Sequence, residues 1–305
     1  MKSILILTDR LDNRGNPTNG MKVGKALRKL GQRVSYGDHT VKAEKLKGFD
    51  LILAFGTLLY PDRVKHVGRI AKAKDANTVF ALWYFDACNP AFRHSRYKCK
   101  AMREAVPHLD WLIMTDHSYA WENYAKNFLH LMQGVDPDDF DLTPSGPEGR
   151  KYDVIFTGGF KGAFREREAM LAEIKKRFSL RVYGRNSDRR VYDASFFKAH
   201  QRARVAFVPP PPSAVARNYW SNRIYLAAAT GTPCVVGYVE GLEKHYTNGK
   251  DVMFFDNANI ACESIRFLLD NPDRRKEIGL TARAWTLRDH TYTARAKTLM
   301  GAIFA

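Results

Sequence analysis

The feature that most constrains this chain is a repeated alternation. Short apolar runs rich in β-branched residues are each followed by a stretch with apolar residues at helical spacing. In the first half the strand-like runs cover residues 3–8, 34–36, 50–55, 78–85 and 111–114, with helical patterns over 21–30 and, in polar form, over 118–127. Residues 136–151, DPDDFDLTPSGPEGRK, interrupt the series with three prolines, two glycines and many acids, and read as a linker. The series then restarts. Strands are predicted at 153–157, 180–183, 204–208, 233–236 and 252–255, and helices at 165–178, 222–230, 260–269, 272–289 and 291–304. Two such series predict two α/β domains, each with a parallel sheet covered on both faces: residues 1–148 and 149–290, with 291–305 as a closing helix.

Composition agrees with a folded chain and narrows its setting. Of the 305 residues 45% are hydrophobic and 12% aromatic, which excludes a disordered chain. No apolar run approaches the roughly 18 residues of a membrane span. The run at 3–8 is too short for a secretory signal and reads as a first buried strand. Cys88, Cys99, Cys234 and Cys262 form no CxxC pair and have no histidine at ligand spacing, so neither a disulfide framework nor a zinc site is expected, and a cytoplasmic setting is. The net charge of +17 is less ordinary. Basic residues outnumber acidic ones 23 to 17 up to residue 150 and 26 to 15 beyond it, so the excess is spread over both halves. A surplus of this size points to a polyanionic partner.

Ligands of doubly wound sheets bind beyond the carboxyl ends of the strands, where glycine loops and backbone N–H groups meet phosphate. Gly158 and Gly159, followed by Lys161 and Arg165, stand at such a place, and Gly184 ends the next strand. The block at 217–236, RNYWSNRIYLAAATGTPCVV, puts Arg217 and Ser221 before an alanine-rich helix with Asn222 and Arg223 at its start. This block resembles the donor-binding helix of GT-B glycosyltransferases, of the form S-x-R-x-x-E-x-x-A-x-G-T-P. Gly241 to Glu243 (Gly-Leu-Glu), the Asn-Gly-Lys-Asp turn at 248–251 and the stretch LLDNPDRRKEIG with His290, Thr291 and Arg295 extend the resemblance to the spore-maturation-type branch over residues 152–300. It implies GT-B architecture, two Rossmann-like domains with parallel sheets facing a central cleft, and transfer of a sugar from a nucleotide-sugar donor, a UDP-sugar first among them. It further implies that Gly158, Gly159, Lys161, Gly184, Arg217, Ser221, Asn222, Arg223, Gly241 and Glu243 serve the donor, with Arg217, Arg223 and Lys161 neutralising its diphosphate. No metal or other cofactor is required by that chemistry. One departure is Leu226, where the family places a glutamate.

The first half then supplies the acceptor side. Asp86 emerges at the end of the run 78–85 and is the first choice for general base; Asp116 and His117 follow the next strand and rank second. Just beyond Asp86 lies AFRHSRYKCKAMR, with Arg93, Arg96, Lys98, Lys100 and Arg103 interleaved with Phe92, His94 and Tyr97. Positive charge holds a phosphate backbone and aromatic rings stack on bases, so Arg93, Arg96, Tyr97, Lys98, Lys100 and Arg103 are the expected nucleic-acid contacts. An aromatic strand ending in an acid and followed by a basic stretch also resembles, more loosely, the phage DNA glucosyltransferases, which implies a hydroxymethylated pyrimidine in duplex DNA as acceptor. Small-molecule, protein and surface-glycan acceptors remain as alternatives, as do a nucleotide-sugar epimerase and a non-catalytic nucleic-acid-binding relative. An oxidoreductase is disfavoured, because no G-x-G-x-x-G follows either first strand.

Overall fold

The computed structural model describes residues 1–11, 18–91, 96–139, 150–184, 187, 189–211 and 218–305. Its strands in chain order are β1 (Ser3–Leu7), β2 (Arg33–Gly37), β3 (Leu51–Phe55), β4 (Val79–Tyr84), β5 (Trp111–Met114), β6 (Phe128–His130), β7 (Tyr152–Thr157), β8 (Leu180–Tyr183), β9 (Ala203–Val208), β10 (Cys234–Gly237) and β11 (Met253–Phe255). Its α-helices are α1 (Asn19–Lys29), α2 (Lys65–Ala73), α3 (Arg96–Ala105), α4 (Glu166–Arg177), α5 (Asp193–Gln201), α6 (Arg223–Ala229), α7 (Ala258–Asp270), α8 (Pro272–Asp289) and α9 (Tyr292–Phe304). They form two compact units, Met1–Gly134 with Tyr292–Ala305, and Val135–Thr291. None of the described helices is long and apolar enough to cross a membrane.

In the first unit six strands pair in parallel in the order β2-β1-β3-β4-β5-β6. Because successive side chains point to opposite faces, these near-continuous apolar strands feed two cores at once. Leu5, Leu7, Ile52, Ala54, Phe80, Leu82, Leu112 and Met114 pack on one side with Val67 and Ile70 of α2 and Met102 of α3. Ile4, Ile6, Leu51, Leu53, Ala81, Trp83 and Ile113 pack on the other with Val23 and Leu27 of α1 and with α9. The closing helix belongs here for a plain reason. Tyr292, Ala296, Leu299, Met300 and Ile303 repeat at helical spacing and cover this sheet face, and the Tyr292 hydroxyl donates to Asn19 Oδ1 at 2.9 Å. The compact units thus divide at 134/135 and 291/292, whereas the composition break suggested 148/149 and 290/291.

The second unit repeats the plan with five parallel strands in the order β11-β10-β9-β7-β8. Val154, Phe156, Val205, Phe207, Val235 and Phe255 form one face, covered by Leu171 and Ile174 of α4 and Ile265 and Leu268 of α7. Two parallel α/β sheets are what the alternation predicted.

Local expectations differ from the structure in three places. The polar stretch 118–127 is no α-helix: it holds one 3-10 turn at Trp121–Asn123 and leads into β6, a strand the sequence did not suggest. Trp121 decides this, because it is fully buried and its Nε1 donates to the Cys88 carbonyl at 2.6 Å, which pins the segment to the sheet. The basic stretch after Asp86, read as a loop, is helical from Arg96 as α3. Helix α5 was not foreseen either; its apolar residues are few and clustered, with Phe196 and Phe197 buried.

Candidate functional site

Each sheet has one strand order reversal, and each reversal carries polar groups at its carboxyl end. In the first unit the reversal lies between β1 and β3. A pocket of about 220 Å³ opens there, lined by Thr8 after β1, by Phe55 ending β3 with Gly56 and Thr57, and by Tyr84 ending β4 with Phe85 and Asp86, with Tyr60, Lys98 and Gln133 also in its wall. Asp86 is 64% exposed at its side chain and its Oδ2 accepts from Lys98 Nζ at 2.7 Å, while Lys98 is only 22% exposed. Burial pulls the Lys98 ammonium down, but the charge and hydrogen bond of Asp86 outweigh it, and the net shift is upward. A second ion pair joins the loop after β1 to residues before α2: Arg63 Nη1 donates to both oxygens of Asp9 at 3.0 Å. The hydroxyls of Thr8 and Thr18 lie 3.1 Å apart, and both reach the Asp9 carbonyl, at 3.1 and 2.6 Å. The walls of this pocket therefore hold a partly solvent-facing carboxylate beside hydroxyls and aromatic rings.

The other acid–base candidates of this half lie elsewhere. Asp116 is fully buried and accepts from the backbone N–H groups of Cys88 (2.5 Å) and Ser118 (2.8 Å). Burial raises its pKa and those hydrogen bonds oppose the rise, with burial the larger. It ties the loop after β4, two residues past Asp86, to the loop after β5. His117 Nε2 lies 3.1 Å from Glu122 Oε1 with its ring against Phe128 and His130, and neither His117 nor Asp116 lines the pocket.

In the second unit the reversal lies between β7 and β9. Gly158 and Gly184 adopt φ of +144° and +147°, and the two turns touch: a Cβ on Gly184 would sit 2.1 Å from the Gly158 carbonyl oxygen. Only glycine permits that approach. Arg167, 6% exposed, crosses the reversal, donating to the Gly159 carbonyl at 3.1 Å and to the Pro210 carbonyl at 3.1 and 3.3 Å, the ends of β7 and β9. Arg223 stands beside it, its guanidinium within about 3 Å of a Cβ placed on Gly158, with Nη1 donating to Ser221 Oγ at 3.0 Å. Burial, and then the charge of Arg223, bring the Arg167 pKa down to about 9; burial also lowers that of Arg223. Among the described residues neither guanidinium is paired with a carboxylate. Two crowded cations without an anion cost free energy that a bound anion relieves. Guanidinium forks match phosphate oxygens in geometry.

The remaining donor-side candidates are distributed around this pair. Ser221 is engaged with Arg223, and Asn222 precedes α6 without a side-chain capping hydrogen bond; at seven residues that helix is too short to offer an N-terminal anion site, so the charge must come from side chains. Lys161 is exposed at the turn before α4. Gly241 (φ +96°) sits where a Cβ would come within 2.2 Å of Asn218 Oδ1. Glu243 accepts from the Gly241 N–H at 2.8 Å and from the Tyr238 hydroxyl at 3.2 Å, and its pKa is held low by backbone N–H groups of its own turn. Arg217 and Arg93 lie outside the described residues. Of the nucleic-acid candidates, Arg96, Tyr97, Lys100 and Arg103 are exposed on α3, whereas Lys98 turns inward to Asp86. Arg167 was missed in the sequence because it sits among Arg165, Glu166 and Glu168, a run that reads as a solvated helix face. The Asp9–Arg63 pair, 54 residues apart, left no local signal at all.

Residues 165–301 match a family described as glycosyl transferase-like, a stretch that includes both Arg167 and Arg223. No curated protein sequence matches the chain. Solved structures align over nearly its whole length. An alpha-glucosyltransferase in complex with UDP-glucose and DNA containing an abasic site is 11% identical, with a TM-score of 0.66, covering 100% of this chain and 99% of that one. Sucrose-phosphate synthase from Thermosynechococcus elongatus is 12% identical with a TM-score of 0.65, covering 99% and 98%. The T4 phage BGT in complex with its UDP-glucose substrate is 10% identical with a TM-score of 0.63, covering 99% of both. The chain therefore has the two-sheet α/β fold of GT-B glycosyltransferase structures, and its residues 165–301 match the glycosyl transferase-like family.

Proposed function

We propose that the protein is a glycosyltransferase that moves a sugar from a nucleoside-diphosphate sugar, a UDP-sugar first among them, to a hydroxyl acceptor. The observation that carries this reading is the Arg167–Arg223 pair at the strand reversal of the second sheet, two neighbouring guanidiniums with no carboxylate partner among the described residues. A donor diphosphate satisfies both. As the bond between the anomeric carbon and the diphosphate oxygen breaks, negative charge grows on the leaving nucleotide. Fixed guanidiniums stabilise that charge more than the ground state, which is the condition for catalysis. Solved structures of the same fold, the alpha-glucosyltransferase and the T4 phage BGT, carry UDP-glucose, which supports the choice of donor.

The acceptor hydroxyl loses its proton as its oxygen bonds to the anomeric carbon. Asp86 is the group to take that proton, since it alone of the three acid–base candidates lines the pocket of the first unit. Lys98, which donates to it at 2.7 Å, is a positioning residue that fixes the direction of the Asp86 carboxylate. For the acceptor itself, a hydroxymethylated pyrimidine in DNA fits three observations: the net charge of +17, the basic helix α3 beside Asp86, and a pocket whose 220 Å³ and tyrosine-rich wall suit one extruded base. That an alpha-glucosyltransferase of this fold binds DNA supports the same choice.

The test is incubation with a panel of nucleotide sugars, with and without duplex DNA carrying 5-hydroxymethylcytosine or 5-hydroxymethyluracil, followed by mass analysis of the digested nucleosides and measurement of released nucleoside diphosphate. A sugar-sized mass gain on the modified nucleoside is the expected result. Nucleoside diphosphate release without the mass gain would discard DNA as acceptor and keep the transferase. Neither product from any donor would sink the proposal.

A further inference from the structure

Helix α3 has two faces of different chemistry. Cys99, Ala101, Met102 and Ala105 are buried, and Lys98 turns toward Asp86. Arg96, Lys100 and Arg103 are exposed and recur four and three residues apart, so they share one stripe along the helix. At a rise of 1.5 Å per residue the stripe runs about 10 Å. Beside its Arg103 end stand Tyr119 and Tyr124, with rings parallel within 8°, centroids 6.2 Å apart and hydroxyls 3.3 Å apart. Both rings rest on Trp121, at 5.3 and 5.8 Å between centroids, and Trp121 is itself fully buried and hydrogen-bonded to the Cys88 carbonyl. The hydrogen bond with Tyr124, and then one with Arg103, lower the Tyr119 pKa, which places Arg103 against the tyrosine pair. Trp121 fills the core beneath, whereas Tyr124 is 56% exposed. A flat ring held at the surface beside the Arg103 end of a three-cation stripe is a combination that packing does not require.

We propose that the Arg96–Lys100–Arg103 stripe and Tyr124 form one docking strip for an unpaired nucleic-acid strand. The three cations hold the phosphate backbone and the Tyr124 ring takes a base on its open face. An unpaired strand is specified because a ring at the surface stacks only on a base whose own face is free; in a duplex both faces are covered by neighbouring pairs. Stacking on aromatic side chains is tolerant of sequence, as the strip, which offers no base-edge readout, requires. The inference rests on the nucleic-acid half of the reading above and sharpens it: the strip lies on the outer side of the helix whose inner side holds Asp86, about one helix diameter, roughly 10 Å, away. It is where the strand next to an extruded acceptor base would run.

The experiment is fluorescence anisotropy of the full chain with a labelled single-stranded oligonucleotide and with the duplex of the same sequence, across a range of salt. We expect the single strand to bind more tightly than the duplex. Tyr124→Ala should weaken single-strand binding about tenfold with an unchanged slope of log affinity against log salt, while Tyr124→Phe should bind as the unaltered protein does. Arg103→Ala should reduce that slope by about 0.7. Thermal melting of each variant separates lost contacts from lost fold. Binding of Tyr124→Ala equal to that of the unaltered protein, a preference for the duplex, or no binding of either probe would each overturn the strip. Nucleoside diphosphate release from a UDP-sugar, measured on the same samples, shows whether the transferase reading stands or falls separately.

Discussion

Read from the opposite edge, the five strands of the second sheet repeat the order of the first five positions of the six-stranded sheet, and the two sheets differ in what stands at their carboxyl ends. At the first reversal every cation described here has an acid: Lys98 with Asp86, Arg63 with Asp9. At the second, Arg167 donates to carbonyl oxygens and lies over the Phe164 ring, Arg223 donates to a serine hydroxyl, and among the described residues neither is paired with a carboxylate. One architecture thus serves two electrostatic purposes. In the balanced pair a carboxylate is held by a cation at hydrogen-bond distance. An unbalanced pair stores repulsion that an anion releases. The comparison teaches that the reversal of strand order fixes where a ligand goes, and that the balance of charge there fixes which kind.

The largest effect that would break this comparison is expected at the balanced end. Asp86→Asn should lower sugar transfer about 10²- to 10⁴-fold, the range of a lost general base, while leaving nucleotide binding in place. Transfer rates and nucleotide titration on the same sample check it, and unchanged transfer would remove Asp86 from the mechanism.

The next effect concerns what the cations do to their surroundings. His200 is buried, its Nδ1 hydrogen-bonds the Phe196 carbonyl at 2.9 Å, and its ring stacks on Phe196 at 4.0 Å. Burial, together with the charge of Arg223, depresses its pKa to about 4 against the hydrogen bond to Phe196. An unfolded histidine titrates near 6.5, so between about pH 6.5 and 4 the unfolded chain binds a proton that the folded chain refuses. Stability from this group is complete above about 6.5 and is lost as pH falls toward 4, by about 3 kcal/mol in total. Urea unfolding from pH 7 to 4 should show that loss and His200→Phe should flatten it; an identical profile in the variant would assign the loss elsewhere.

At the unbalanced end, Arg223→Ala should weaken use of the donor about 30-fold in kcat/KM, as expected for one charge-assisted contact to phosphate, and Arg167→Ala similarly. Equal kinetics in both variants and the unaltered protein would leave the pair as a packing feature. The smallest effect is expected at Asp116. Because it accepts two backbone N–H groups and is kept out of the pocket, Asp116→Asn should cost roughly 1–3 kcal/mol of unfolding free energy and alter kcat little. A kinetic loss as large as that of Asp86→Asn would make it a participant rather than a brace.

Much of this was readable along the chain, and the residues show why. The runs SILIL, LILAF and VFALWY announce buried parallel strands because both of their faces are apolar, and the glycines at 158 and 184 announce strand ends because no other residue turns there so tightly. Asp86 was legible as the polar residue closing an aromatic strand. Helix α3 was legible as a basic stretch, but its charges could not be sorted: Lys98 and Lys100 are two residues apart and only the helix turns one to Asp86 and the other to solvent. Arg167 shows the same limit from the other side. Its neighbours in sequence are charged and solvated, and its burial follows from the strand ends that α4 packs against.

By itself, the sequence determined the two βα series, the two parallel sheets and the loops in which a ligand site must be sought, since hydrophobic period and glycine punctuation are local properties of the chain. Which charges are paired, which are left crowded, and which acid faces a pocket were decided by tertiary structure alone. An ion pair or an unshielded guanidinium depends on distances between residues tens of positions apart, and on the water excluded around them, and neither is encoded in any single stretch of the chain.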